Sequence, residues 1–275
     1  YLSGGTKDLE AASLVLEPLG RYDETGALVP YLATEIPTVE NGGVAEDLKS
    51  ITWKLKEGLV WSDGTPVTSA DLKFTADYCM HPEGGCAQAS KFDGVESIDI
   101  VDDLTVTVHF TDAKPNPYGP FMGAQSPIIQ AAQFKDCLGA KAPECTEANF
   151  NPIGTGPFRV TDFRPNDVIQ MEANPNYRDP AKPAFAKVLF KGGGDATAAG
   201  RAVMETGEFD YAWNLQLAPD VIAKMAEGGK GKPIAAFGSL VERLEMNLTD
   251  PSPELDADTR ATTKAPHPIL SDLTV

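Results

Sequence analysis

Apolar and polar residues alternate in several short segments of the chain, which predicts β-strands with one buried face. Ile51, Trp53 and Leu55 alternate with polar residues, and this period of two is typical of a half-buried strand. Residues 95–110 contain two more such segments around the Asp102-Asp103 pair, so we expect two strands joined by a turn. The residues predicted on the buried face of the second strand are Val106, Val108 and Phe110.

A helix is predicted directly after a tight turn. The segment Trp61-Ser62-Asp63-Gly64-Thr65-Pro66 contains Asp and Gly, which favour turn conformations. Thr68 and Asp71 then have the spacing of a capping box, so the helix should begin there. Phe74 and Tyr78 lie four residues apart and are expected on one face of this helix.

The pattern changes after about residue 150, where strands and helices are expected to alternate. The predicted elements are strands at 158–163, 167–172, 188–190 and 209–213, a helix from Asp195 or Thr197 to Gly207, and a helix from Pro219 to about Gly228. Because residues 45–110 instead contain strands in hairpins around one helix, we expect two domains of different character.

The charge balance argues against nucleic acid as a partner. The 275 residues include 23 basic and 40 acidic side chains, which gives a net charge of −17. A surface this acidic repels phosphates. The sequence also contains no apolar run of about 18 residues, the length that a membrane-spanning helix needs.

Four cysteines form two local pairs, Cys79 with Cys86 and Cys137 with Cys145, each around a turn-rich loop. We predict two disulfides; free cysteines and a metal site are the alternatives, although zinc sites use closer spacings. Paired cysteines favour an oxidising compartment. Since Tyr1 is an unusual native start, we expect the precursor to carry a signal peptide.

The sequence offers no evident catalytic constellation. Its three histidines, His81, His109 and His267, have no partners that would indicate nucleophilic catalysis. We therefore expect a binding protein without a cofactor or metal. An extracytoplasmic hydrolase with an unrecognised carboxylate site, and a structural or adhesive domain, are the alternatives from other classes.

Two glycine-rich segments are interpreted as turns. Gly154-Thr155-Gly156 is followed by Pro157, which lacks the N–H that a phosphate cradle requires. Gly192-Gly193-Gly194 lacks the following Lys-Ser/Thr of a phosphate-binding loop.

Aromatic and amide side chains cluster in the segment Tyr211-Ala212-Trp213-Asn214-Leu215-Gln216. The segment lies between a predicted strand and a predicted helix, and strand ends in α/β sheets are where ligand crevices open. This cluster is therefore a candidate binding site. The alternative is that Trp213 packs in the core or against a loop.

Several segments together resemble the solute-binding proteins of the oligopeptide/dipeptide importer family. They occur in the expected order and cover nearly the whole chain. The segments are Trp53-x-Leu55-x-x-Gly58-x-x-Trp61-Ser62-Asp63-Gly64-x-Pro66-Val67-Thr68-x-x-Asp71, then Gly154-Thr155-Gly156-Pro157-Phe158, Asn174-Pro175-x-Tyr177 and Gly207-Glu208-Phe209-Asp210. We interpret the Trp-Ser-Asp-Gly segment as structural, a tight turn anchored by a buried Trp61.

The resemblance implies a mixed α/β fold of the periplasmic binding protein type II class, with two lobes that close on a ligand. It implies that 1–32 and 151–248 form lobe one, that 33–150 form an inserted extra domain, and that 249–275 cross towards a second lobe. Because family members are longer, we interpret the chain as a fragment. The local cysteine pairs are not part of the family pattern.

The resemblance also implies a function. The protein is expected to be a periplasmic, monomeric component of an ABC importer that captures di- or oligopeptides by hinge closure and delivers them to a membrane permease. Opines, other small amino-acid conjugates, oligosaccharides and nickel or haem complexes are alternative ligands. A single lobe should bind ligand weakly.

Two segments should carry the ligand contacts on this side of the cleft. The resemblance places them at Trp213, Asn214 and Leu215 and in the N-terminal loop Leu2-Ser3-Gly4-Gly5. Trp213 would form an apolar wall, and Asn214 would hydrogen-bond an extended peptide backbone.

Overall fold

The computed structural model describes residues 4–235 together with Thr249, Asp256 and Thr259. Its first half contains α1 (Thr6–Ala12), β1 (Gly20–Tyr22), β2 (Leu28–Pro30), β3 (Ser50–Lys54), α2 (Ser69–Cys79), β4 (Val95–Asp102), β5 (Thr105–Phe110), α3 (Ala131–Phe134) and α4 (Thr146–Phe150). Its second half contains β6 (Phe158–Arg164), β7 (Val168–Ala173), β8 (Lys187–Lys191), α5 (Ala196–Met204) and α6 (Pro219–Ala226).

The first large sheet has the order β3-β5-β4, with antiparallel neighbours. Trp53 pairs with Val106 across β3 and β5, and both side chains are completely buried. At the turn into β5, the Leu104 N–H donates to the Asp102 carboxylate at 2.8 Å. The predicted alternation and the predicted turn are therefore both confirmed.

Helix α2 begins with the predicted capping box, in which Thr68 and Asp71 bond each other's backbone N–H groups. The buried Asp71 carboxylate also accepts a hydrogen bond from the Trp61 indole at 3.3 Å and one from the Ala131 N–H at 2.9 Å. Trp61 is 1% exposed. The Trp-Ser-Asp-Gly turn is thus anchored to the helix by a buried tryptophan, as predicted.

The second large sheet has the order β6-β7-β8 and is antiparallel throughout. Helices α5 and α6 follow it in sequence. The predicted alternation of strands and helices after residue 150 is therefore wrong: the strands come first and the helices afterwards.

The predicted strand at 209–213 does not form. The N–H groups of Glu208 and Phe209 both donate to the Ala202 carbonyl, at 2.7 and 3.2 Å, so they close the end of α5. Helix α5 ends at Met204, before the predicted Gly207. Gly207 has a φ of +69° and makes the left-handed exit that commonly follows a helix.

Buried side chains form two clusters. The larger one runs from Leu16 to Ala148 and includes the first large sheet and α2. The smaller one contains Ala11, Val15, Phe158 and Met171. The division into lobe one and an inserted domain, with its boundaries at 32 and 151, stays a prediction, and most of 249–275 lies outside the described residues.

Both predicted disulfides are confirmed, Cys79–Cys86 and Cys137–Cys145. The two loops that they close lie against each other. A methyl group built on Gly85 would lie 2.6 Å from the Gly139 carbonyl oxygen.

Among the described residues, no helix has both the length and the apolar character needed to cross a membrane.

Motifs that are far apart in sequence meet at the end of the second large sheet where β6 begins and β7 ends. The Ser62 N–H donates to the Gly154 carbonyl at 2.9 Å, and the Asn176 amide donates to the Ser62 carbonyl at 3.0 Å. The Asn174 amide donates to the Gly156 carbonyl at 2.8 Å. The Gly-Thr-Gly segment therefore joins two other motifs rather than forming an isolated turn.

Candidate functional site

The segment between α5 and α6 exposes the aromatic and amide side chains that the sequence singled out. Tyr211 is 71% exposed and Trp213 is 38% exposed. Asn214 and Gln216 are also exposed. Asn214 has a φ of +50°, a left-handed conformation that Asn tolerates better than most residues. The chain therefore changes direction immediately after Trp213.

Close packing of the two helices supports this segment. A methyl group built on Gly200 of α5 would lie 3.0 Å from the Met225 sulfur of α6 and 3.6 Å from methyl carbons of Leu215 and Leu217. Leu215 thus turns towards α5 and is half-buried. Asp195 caps α5, since its carboxylate accepts the Ala198 N–H at 2.7 Å.

Trp213 makes no side-chain hydrogen bond and no ring contact among the residues that the structure describes. It is also absent from both buried clusters. The indole and the Asn214 amide therefore present an apolar surface next to a group that can both donate and accept hydrogen bonds. Such a surface suits non-covalent capture of a solute.

The second predicted ligand segment lies before α1. Gly4 and Gly5 are exposed, whereas Leu2 and Ser3 lie outside the described residues. Gly5 precedes the helix with an extended backbone, φ −67° and ψ 133°. No side-chain hydrogen bond or ring contact of Trp213 reaches this loop within the described part of the chain.

Gln88, which the sequence did not single out, faces this loop. Its side-chain nitrogen would lie 2.9 Å from a methyl group built on Gly4, and the residue is only 8% exposed. A lone glutamine in a loop belongs to no periodic pattern or motif, so only the tertiary structure reveals its position.

A polar cluster lies near the Gly-Thr-Gly segment. The Glu17 carboxylate accepts hydrogen bonds from the Thr155 hydroxyl at 2.9 Å and from Arg178. The Arg178 guanidinium lies 4.6 Å from the Tyr31 ring centroid and 4.8 Å from that of Tyr177. Burial raises the pKa of Tyr177, and the negative charge of Glu17 adds to this shift.

The described histidines are not arranged for catalysis. His109 lies 3.1 Å from the Asp99 carboxylate on a partly exposed sheet face, and His81 accepts a hydrogen bond from the Glu83 N–H. Within 4–235 and the other described residues, no group of three or more His, Cys, Asp or Glu side chains could hold a metal ion. His267 lies outside the described residues.

Residues 27–275 match the family model for bacterial extracellular solute-binding proteins, family 5 Middle. The chain is 23% identical over 211 residues to the glutathione-binding protein GsiB of Shigella boydii, which covers 76% of this chain and 39% of the relative.

Solved structures of substrate-binding proteins also match this chain. The ABC transporter substrate-binding protein CtaP of Listeria monocytogenes has a TM-score of 0.67 and 25% identity, over 82% of this chain and 43% of that one. OppA of Haemophilus influenzae, in complex with RPPGFSPFR, has a TM-score of 0.67 and 21% identity, over 83% and 45%. These matches confirm the predicted fold class.

The chain spans between 31% and 41% of the length of the curated relatives that it matches.

Proposed function

Because the chain belongs to the bacterial extracellular solute-binding proteins of family 5, we propose that the whole protein is the solute-binding component of an ABC importer. It captures short peptides outside the cytoplasm, in the periplasm, and delivers them to a membrane permease. It is a transport binding protein and not an enzyme, and its precursor carries a signal peptide.

The observation that carries this proposal is the exposed pair Trp213 and Asn214 between α5 and α6. Trp213 is 38% exposed and makes no side-chain hydrogen bond or ring contact with the other described residues; an exposed indole costs free energy in water, and covering it with a ligand recovers that free energy. The neighbouring amide matches the alternating N–H and C=O groups of an extended peptide backbone. Together they bind main chain without demanding one particular side chain.

Short peptides are the favoured ligand class. The relative GsiB is named for binding glutathione, which is itself a tripeptide. The net charge of −17 steers cationic more than anionic solutes towards the protein. The −17 charge therefore favours neutral or basic peptides over strongly acidic ones.

Capture requires closure of a second lobe onto this one. A ligand shifts a protein towards a closed form only if it binds that form better than the open form. Trp213, Asn214 and the Gly4-Gly5 loop supply contacts from one side only. The lobe by itself therefore binds peptide weakly, and high affinity needs the full-length protein.

The test is a fluorescence titration of the full-length protein with glutathione and with tri-alanine. Trp53 and Trp61 are 0% and 1% exposed, so within this part of the chain a ligand-dependent signal comes from Trp213. We expect a saturable change with at least one of the peptides. In Trp213→Phe the affinity for that peptide, measured by calorimetry, should fall about tenfold, as expected when an aromatic anchor loses contact area.

Phe185→Leu is the matched control, because Phe185 is a 73% exposed aromatic residue outside the segment between α5 and α6. It should bind like the wild type. Unchanged affinity in Trp213→Phe would remove Trp213 from the site. No binding of either peptide, with saturable binding of an opine, would move the protein to another ligand class within the family.

A further inference from the structure

A glycine lies in the middle of helix α5, at position 200. Glycine destabilises a helix interior relative to alanine, and the packing around it shows what the absent side chain provides. Gly200 is buried. The atoms nearest to a methyl group built on it are the Met225 sulfur at 3.0 Å and methyl carbons of Leu215 and Leu217, both at 3.6 Å. Gly200 therefore leaves room for two leucines of the segment between α5 and α6.

A tight turn holds these two leucines together. The Leu217 N–H donates to the Leu215 carbonyl at 3.0 Å, which closes a three-residue turn with Gln216 at its centre. Both leucines are half-buried, whereas Gln216 is exposed. The turn thus fixes how the segment lies against α5.

The left-handed backbone of Asn214 separates Trp213 from these leucines. In an extended chain, residues 213, 215 and 217 would point to the same side, because side chains alternate with a period of two. Asn214 has a φ of +50°, which interrupts the extended conformation. Leu215 and Leu217 lie against α5, while Trp213 is 38% exposed. The indole is therefore left exposed although its neighbours are packed.

The two helices on either side of this segment are also tied together at another point. The Lys230 N–H donates to the Met204 carbonyl at the end of α5, at 3.2 Å. A methyl group built on Gly228, after α6, would lie 2.8 Å from the same carbonyl oxygen. The segment that carries Trp213 therefore joins two helices whose relative position does not depend on it alone.

We propose that Gly200 and Leu217 are positioning residues that hold Trp213 exposed and in a fixed direction before a ligand arrives. This inference rests on the proposed function, since an exposed Trp213 serves binding only if the protein captures a solute there. Neither residue needs to touch the ligand, because Gly200 is buried and Leu217 packs over it. A segment that is fixed in advance loses less conformational entropy on binding, which raises the affinity.

Calorimetry on the full-length protein tests the effect on binding, with tri-alanine and glutathione as the probes. In Leu217→Ala we expect the peptide affinity to fall by about twofold to tenfold, the range for ordering one side chain on binding. Ile169→Ala is the control, since Ile169 is also half-buried but packs against the smaller buried cluster. The control should lower the melting temperature and leave the peptide affinity unchanged.

A second measurement needs no ligand. Time-resolved anisotropy of the indole fluorescence reports nanosecond motion of Trp213, once the signal of Trp213→Phe has been subtracted. We expect a loss of anisotropy in Leu217→Ala, because the segment is no longer held against α5, and none in Ile169→Ala. If Leu217→Ala binds more weakly but keeps the wild-type anisotropy, Leu217 touches the ligand itself and the positioning role is wrong.

The link between the two residues is tested by exchanging their sizes. Gly200→Val fills the room that Leu217 occupies and should lower both the affinity and the anisotropy. In Gly200→Val/Leu217→Ala the smaller residue makes room for the larger one, so the double variant should recover part of both losses. Losses that simply add would show that the two residues act separately and would overturn the proposal.

Failure of this inference can be told apart from failure of the proposed function. If the wild type binds a peptide and Leu217→Ala matches it in affinity and in anisotropy, the positioning role is wrong and the proposed function stands. If the wild type binds neither peptide, the proposed function fails, while the anisotropy of Leu217→Ala still decides whether Leu217 holds Trp213 in place.

Discussion

The completely buried carboxylate of Glu17 accepts a hydrogen bond from the guanidinium of Arg178, which lies 161 residues further along the chain. Thr155 donates to the same oxygen. Arg178 is itself held between the rings of Tyr31 and Tyr177. Together these contacts connect the start of the chain to the segment before β6 and to the connection between β7 and β8.

Arg178→Met is expected to destabilise the full-length protein by about 3–5 kcal/mol, because it leaves the Glu17 charge buried and unpaired. Urea unfolding measures the effect. The double variant Glu17→Met/Arg178→Met removes both charges and should recover part of the loss. If the free energy of unfolding of Arg178→Met lies within about 1 kcal/mol of the wild-type value, the ion pair contributes no more to stability than an exposed pair does.

Gly154→Ala is expected to destabilise the protein by at least about 2–3 kcal/mol, as overpacked sites do. A methyl group at this position would lie 1.9 Å from the Val15 carbonyl oxygen, so the backbone would have to move. Gly194→Ala is the control, since nothing lies within 4 Å of its added methyl group. Equal melting temperatures for the two variants would contradict the close approach of residues 15 and 154.

Removal of either disulfide is expected to lower the free energy of unfolding by about 2–3 kcal/mol, the value for closing a loop of this length. The paired replacements are Cys79→Ser/Cys86→Ser and Cys137→Ser/Cys145→Ser. Because the two loops pack against each other through Gly85 and Gly139, the two effects should not be additive. Mass spectrometry under non-reducing conditions checks the pairing, and free thiols in the native protein would refute it.

The stability contribution of Asp71 should decrease as pH rises. Burial raises the pKa of its carboxyl, although hydrogen bonds from Thr68, Ala131 and Trp61 oppose the shift. The folded chain therefore holds this proton more tightly than the unfolded chain. The contribution is fully present below the unfolded pKa of about 3.9 and is lost as pH rises through the raised folded pKa.

Urea unfolding of the wild type and Asp71→Asn between about pH 3.5 and 7 tests this sign. The advantage of the wild type over the variant should shrink as pH rises. Asp77→Asn, on the exposed side of the same helix beside Lys73, is the control and should not show this decrease. An advantage that grows with pH would mean that hydrogen bonds to Asp71 outweigh its burial.

The local elements of the fold can be predicted from patterns in the amino-acid sequence. Several sequence patterns reflect physical requirements that act over a few residues. Examples are the alternation of Ile51, Trp53 and Leu55, the capping box of Thr68 and Asp71, and the short spacings within each cysteine pair. A strand must bury every second residue, and the first turn of a helix must satisfy its free N–H groups. These requirements act within a few residues, so the pattern alone predicts them.

How segments that are far apart in sequence meet depends on the folded arrangement of the whole chain. The strand expected at 209–213 is absent because the N–H groups of Glu208 and Phe209 close α5, and local strand propensity cannot anticipate that competition. The ion pair of Glu17 with Arg178 and the approach of Gln88 to Gly4 join residues far apart in sequence. Contacts between residues so far apart in sequence depend on the path of the whole chain. They produce no periodic pattern of residues, so they cannot be predicted from a single sequence.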